Sequence, residues 1–466
     1  MTQDPVIDLL AHATEVLEAE FGTLPGFEAA PGAGRESWQR VLEETAHRLG
    51  DNYPYFHPLY AGQMLKPPHP LARAAYALAM KINPNNHARD GGRASSEMEI
   101  EAVGGIAAMY GWQAGEYLGH LTSSGTIANL EALWIAGQLA PGKRILGSEQ
   151  AHYTHSRVSG VLKLTHRSIA TDNRGRMRMD VLEEELAKGD VGTVVATLGT
   201  TGLGAVDPLD EILALKERYG FRVHVDGAYG GYFGLIGEEL EEPARRAYAE
   251  IGKADSIVVD PHKHGLQPYG CGCVLFRDPG VKLFYKHDSP FTYFTASPLH
   301  LGEISLECSR AGAAAVALWA TQKLLPLTKD GEFAAGLKQG RRAALELDRR
   351  LRGDERFVTL EGSLSGSPNA RYPGRPPELD IVVWALRAAD FRRASEQAQK
   401  LFDACAARGL HLALVQLPGS WFGKASGPED HVLTCLRSVL LKPEHEAWLD
   451  PIWERLTAAS REVLGE

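Results

Sequence analysis

The chain of 466 residues has little cysteine, no long apolar run and no surplus of positive charge, and each shortage removes a class of function. Its five cysteines, at 271, 273, 308, 405 and 435, are scattered and odd in number, which does not suit a disulfide framework and fits a reduced compartment. Cys271 and Cys273 have no second cysteine pair nearby to complete a zinc site, so they are expected to pack inside a strand. No stretch reaches the roughly 18 apolar residues a membrane span requires, the richest being 311–320. Residues 1–21 carry Asp4, Asp8, Glu15, Glu18 and Glu20 without a basic start or a cleavage pattern, so an amphipathic helix and a cytoplasmic protein are expected. A net charge of −10 disfavours nonspecific nucleic-acid binding, so an anionic ligand must be held by local donors and dipoles. Neither a nucleotide P-loop nor a Gly-x-Gly-x-x-Gly turn is present, which weakens NTP and dinucleotide readings.

What is present is an alternation of apolar strands with helices. Strands are expected at 144–147, 162–164, 193–198, 221–225, 256–259 and 271–276, with helices after His152, at 209–219 and in the acidic stretch after Gly231. That pattern predicts a mostly parallel sheet covered on both faces. Upstream, a helix is expected over 95–111 with Ser95 or Ser96 as N-cap, and another over 130–139. The first 90 residues, rich in Pro and aromatics at 53–60 and 66–70, read as a segment that wraps the main body or a partner subunit. Residues 91–325 form the expected large domain, closed by an Ala-rich helix at 310–325. Residues 326–466 form a smaller α+β domain with strands at 379–384, 410–415 and 436–441 and a helix at 390–408. Residues 284–303, aromatic and without period, suit a mobile active-site loop.

Two strands deliver chemistry at corresponding ends. The first stops at Asp226, before Gly227-Ala228-Tyr229-Gly230-Gly231, and the second at Asp260-Pro261-His262-Lys263-His264-Gly265. A strand-terminal Asp alone is most often a cap, and a lone Lys a surface residue. Together, outside the carboxyl ends of an open α/β sheet, they are the minimum equipment for pyridoxal phosphate: the Lys for a Schiff base, the Asp for the pyridinium nitrogen. The string from His120 to Asn129 puts small hydroxyl residues and Gly125 at the opening of a helix, which suits a phosphate, although it also reads as an ordinary N-cap. Gly199-Thr200-Thr201-Gly202 repeats that chemistry at another strand end.

These residues resemble the pyridoxal-phosphate-dependent group II amino-acid decarboxylases, which include the aromatic-L-amino-acid, tyrosine, glutamate and cysteine-sulfinate enzymes. The likeness is strong over about residues 50–325, and its most specific parts are Asp260-Pro261-His262-Lys263 and His224-Val225-Asp226-Gly227-Ala228-Tyr229. It implies the aspartate-aminotransferase-like type I fold and a homodimer with shared active sites. Lys263 would be the Schiff-base residue, Asp226 the pyridinium partner, and Ala228 and His152 would cover the two ring faces. Gly125, Thr126 and His262 would hold the phosphate, with Thr200 or Thr201 nearby. Tyr293, 30 residues beyond Lys263, is the candidate donor of the proton that returns to Cα. Gln63 stands where aromatic-specific relatives carry aromatics, so it is a candidate for binding an acidic side chain; the run from Gly119 to Trp134 and the 83–87 cluster look more like bacterial tyrosine decarboxylases. The resemblance thus implies an L-amino acid substrate with an aromatic or acidic side chain. Two rivals stay open: another type I enzyme (aminotransferase, aldolase or carbon–carbon lyase), or a metallohydrolase using His152, His155, Asp260, His262 and His264.

Overall fold

The computed structural model describes residues 5–26, 32, 34–87, 90–286, 304–364, 376–422 and 432–466. Its larger sheet has seven strands: β1 (Leu118–Thr122), β2 (Arg144–Ser148), β3 (His166–Ile169), β4 (Val191–Thr197), β5 (Arg222–Asp226), β6 (Ser256–Val259) and β7 (Gly272–Phe276). They lie in the order β1-β7-β6-β5-β4-β2-β3, with β7 antiparallel to both neighbours and the other pairs parallel. Successive residues of one strand enter different cores: Val194 and Ala196 one, Val195 another, and likewise Ile257 and Val259 against Val258. Both faces are therefore covered, which is why these strands read as continuous apolar runs. The helix Leu209–Tyr219 has the expected bounds because its ends are chemically marked. Asp210 and Glu211 lie in the first turn, Lys216 and Arg218 in the last, and Gly220 closes it at φ 69°.

Two expectations need correction, and one strand carries no local signal. Residues 162–164 are not a strand: the helix Thr154–Val161 runs up to them, Leu162 and Leu164 pack on its core, and the strand follows at His166. Ser95 and Ser96 do not cap their helix, which starts at Arg93 after Gly92; both are buried inside it, and the Ser95 hydroxyl bonds Asn86 Oδ1. β1 was not anticipated, since Gly119, His120 and Thr122 give it no apolar alternation. It is buried all the same because it pairs with β7 along its whole length; His120 Nε2 lies 3.0 Å from Glu131, which accepts from the Tyr285 hydroxyl at 2.9 Å.

The smaller sheet is antiparallel, with β8 (Phe357–Thr359), β9 (Ile381–Leu386), β10 (Ala413–Pro418) and β11 (Val432–Val439) in the order β10-β11-β9-β8. The helices Glu332–Arg352, Phe391–Ala407 and Leu449–Leu464 cover it through a core that includes Phe357 and Trp384. N-terminal residues tie the two sheets together. Ala61 accepts from the Val439 N–H at 2.8 Å, and His69 donates its N–H to the Leu266 carbonyl at 2.9 Å. Arg310, just ahead of the helix Gly312–Leu324, bonds Glu99 Oε1 at 2.6 Å and the Leu121 carbonyl at 2.7 Å, fixing that helix to β1. No helix among the described residues is long and apolar enough to cross a membrane.

Candidate active site

Strand register decides where the polar groups meet. Thr197 pairs with Asp226 and Asp226 with Val258, so the carboxyl ends of β4, β5 and β6 are level. A cleft of about 180 Å³ opens there. Asp226 is buried at its edge; Oδ1 accepts from the Ala228 N–H at 3.1 Å, and Oδ2 lies 2.7 Å from His155 Nε2. Burial pushes the carboxyl up, but the His155 contact and the charge of Lys263 outweigh it and hold Asp226 well below the usual carboxylate range.

Lys263 enters the cleft from the turn after β6, its Nζ 3.0 Å from Asp260 Oδ2. Gly265 lets that turn close, because a Cβ there would stand 2.5 Å from Pro261 Cα. Opposite, the helix Gly125–Leu139 points its N-terminus into the cleft, with Ser124, Gly125 and Thr126 in the lining. Ser124 caps it by accepting from the Ile127 N–H at 3.3 Å. A Cβ on Gly125 would fall 2.5 Å from both Asp260 carboxylate oxygens, so the helix end and Asp260 approach closely only because residue 125 is glycine.

His152 lines the cleft with a neutral ring: burial lowers its pKa, and its Nδ1 accepts from the Thr154 N–H at 3.2 Å, leaving the hydrogen on Nε2. His262 also lines it; burial lowers its pKa too, and its Nδ1 donates to the Cys271 carbonyl at 2.6 Å. Ala228 and Thr201 are in the lining, whereas the Thr200 hydroxyl turns away and accepts from the Ala205 N–H at 3.0 Å. Gln63 stands outside the lining, exposed, its Oε1 accepting from Arg437 Nη1 at 3.2 Å. Tyr293 and the rest of 287–303 lie outside the described residues. His152, Asp260 and His262 share the cleft, but the five residues of the metal reading do not form one ligand set. His155 faces Asp226, His262 the Cys271 carbonyl and His264 Asp380, and no cluster among the described residues could hold an ion.

Residues 28–361 match the family model described as the pyridoxal-dependent decarboxylase conserved domain. The chain belongs to that family. It is 27% identical to the L-tyrosine decarboxylase of Enterococcus faecium, over 80% of this chain and 76% of that one. With the probable L-tyrosine/L-aspartate decarboxylase of Methanothermobacter thermautotrophicus it shares 29%, over 73% and 86%. With the cysteine sulfinic acid decarboxylase of Rattus norvegicus it shares 28%, over 59% and 60%. Among solved structures, mouse CSAD superimposes with a TM-score of 0.75 at 23% identity, covering 96% and 92% of the two chains. Oryza sativa TDC with PLP and tryptamine gives 0.76 at 19%, covering 98% and 96%. The fold is thus type I, and the protein is a pyridoxal-phosphate-dependent carboxy-lyase acting on an amino acid.

The residues of this decarboxylase fit that cofactor on their own geometry. An amine, a carboxylate held ionised and a helix N-terminus meet in one cleft, and the buried Thr197 Oγ1 and Asp260 Oδ1 have no partner among the described residues. Two neighbours escaped the sequence reading. From the sequence His155 reads only as a metal-ligand candidate; its place on Asp226 follows from its position as second residue of the helix Thr154–Val161, which has no meaning until β5 is placed. Arg437, on β11, lies 174 positions after Lys263 and carried no local signal.

Proposed function

We propose that this decarboxylase releases carbon dioxide from an L-amino acid at the β4–β6 strand ends, with Lys263 as the covalent anchor of the cofactor. The observation that carries this reading is the convergence of Lys263, Asp226 and the 125–139 helix N-terminus on one cleft. Pyridoxal phosphate, when bound, supplies an aldehyde for an amine and a ring that accepts the electron pair left by departing carbon dioxide. Asp226 would keep the ring nitrogen protonated, His152 and Ala228 would flank the ring, and backbone N–H groups at 125–126 with Thr126, Thr201 and His262 would hold the phosphate. The reaction also needs a proton delivered to Cα, and we assign it to the Tyr293 hydroxyl. Tyr293→Phe is expected to release carbon dioxide with a reduced yield of amine, and an unchanged yield would remove Tyr293 from that role.

Arg437 supports a carboxylate site. It is 4% exposed, its Nε and Nη2 have no partner among the described residues, and it lies beside Tyr229, which lines the cleft. A buried guanidinium with open donors favours a bidentate anion. We assign the substrate's α-carboxylate to Arg437 and a polar or anionic side-chain tip to the neighbouring Gln63 amide. Amine and carbon dioxide release across tyrosine, aspartate, glutamate, cysteine sulfinate, dopa and tryptophan is the test. Release from any member supports decarboxylation; keto-acid formation without carbon dioxide contradicts it.

A homodimer is the assembly we propose. The helix Arg35–Leu49 buries no residue in the single chain yet exposes Trp38, Val41, Leu42 and Leu49 on it. An amphipathic helix without a buried face needs a partner surface. A cytoplasmic location is likewise proposed, on the five unpaired cysteines.

A further inference from the structure

The ring of His155 has one polar partner among the described residues. It is 1% exposed, sits in the first turn of the helix Thr154–Val161, and places Nε2 2.7 Å from Asp226 Oδ2. Its Nδ1 is buried without a hydrogen bond among the described residues. An ionised carboxylate has no hydrogen to give, so Nε2 donates. The neighbouring His224 cannot replace it, because its two nitrogens are engaged by Ser256 Oγ and Asn129 Oδ1, both at 2.8 Å. Burial also pushes the His224 pKa down to about 3, which leaves that ring uncharged. A histidine kept only for packing has no need of a charged partner. Here the ring's orientation is set from one side, by the carboxylate.

We infer that His155 is a positioning residue that acts through Asp226, fixing which carboxylate lone pair faces the cofactor's ring nitrogen and keeping the carboxylate ionised for it. The Asp226 carboxylate then has a defined division of labour. Oδ1 is held by the Ala228 N–H, Oδ2 by His155, and the remaining lone pairs are presented to the cleft. This inference rests on the proposed role of Asp226. The other titratable groups facing the pair are His152 and Lys263 from the cleft, His224 along β5 and His166 on β3, and none of them bonds Asp226 among the described residues.

The test uses the full chain loaded with pyridoxal phosphate and compares His155→Leu, which fills the volume without a donor, with His155→Gln, whose amide can still donate. Loss of a charge-assisted hydrogen bond is expected to weaken cofactor binding about 10- to 100-fold in the Leu variant, and to lower kcat with little change in KM. Without the donor, Asp226 becomes easier to protonate. Its ionised form is the binding form and is lost as pH falls, so the acid limb of cofactor affinity should move to higher pH in the Leu variant. The Gln variant should recover most of the affinity and the original acid limb. Equal behaviour of the two variants, or a Leu variant that loses only thermal stability while its affinity and acid limb stay unchanged, overturns the inference. Asp226→Asn is measured alongside. If it too leaves cofactor affinity and its acid limb unchanged, the role of Asp226 has failed, whereas an effect there with none at His155 rejects His155 alone.

Discussion

At the scale of residues, the proposed roles make separable predictions. If Arg437 grips the α-carboxylate, Arg437→Met should reduce kcat/KM by about 10- to 100-fold on every substrate accepted, since a hydrogen bond to a charged group is worth roughly 1.5–3 kcal/mol. Gln63→Leu should cost about ten- to a hundredfold, and only on substrates with a polar or acidic tip. Equal losses on aromatic and acidic substrates would remove Gln63 from side-chain recognition, and an Arg437 effect confined to acidic substrates would move Arg437 to the distal group. Asp226 also links the site to stability. Its pKa is depressed in the folded chain, so its contribution is present above the ordinary carboxylate range and is lost as pH falls through the folded-state value. Asp226→Asn should therefore lower the thermal midpoint at pH 7, with the gap to the parent closing in acid; a constant gap would show that its charge does not matter. The meeting of Lys263 and Asp226 in one cleft was legible because Asp226 ends one apolar strand and Lys263 lies in the glycine-bearing turn just after the next. Arg437 and His155 were not, because their partners are supplied by tertiary folding.

At the scale of elements, the 125–139 helix and the turn after β6 are fitted to each other. Gly125→Ala introduces a Cβ against the Asp260 carboxylate, so the helix N-terminus or Asp260 must shift. Cofactor affinity is expected to fall at least about tenfold, as misplacement of a preorganised binding group does, while the helix, which gains from alanine, keeps its circular-dichroism signal. Unchanged affinity would show that the helix end and the anion site are not coupled. The sequence disclosed the β/α alternation well where strands are apolar and helix ends are marked, as at Leu209–Tyr219 and at Asp390, whose carboxylate accepts from the Arg393 N–H at 2.8 Å. It failed at β1, which is polar and is held by pairing with the distant β7, and at β3, whose His166 and Arg167 hide an edge strand. Such elements are fixed by the strands beside them, β7 for β1 and β2 for β3, and no local period announces them.

For the whole molecule, the unburied face of the helix Arg35–Leu49 predicts association. Light scattering is expected to give the mass of two chains, and Leu42→Asp, which puts a charge on that face, should give a monomer with little activity. A parent protein that is monomeric and fully active would contradict the shared-site dimer. The central claim concerns where the cofactor is anchored, and one measurement reaches it directly. The loaded protein is treated with borohydride, digested and mapped by mass. The phosphopyridoxyl group is predicted on the peptide bearing Lys263, while Lys263→Ala binds the cofactor reversibly and retains no label. Label on a different lysine, or covalent label persisting in Lys263→Ala, would contradict the assignment of this cleft as the catalytic centre.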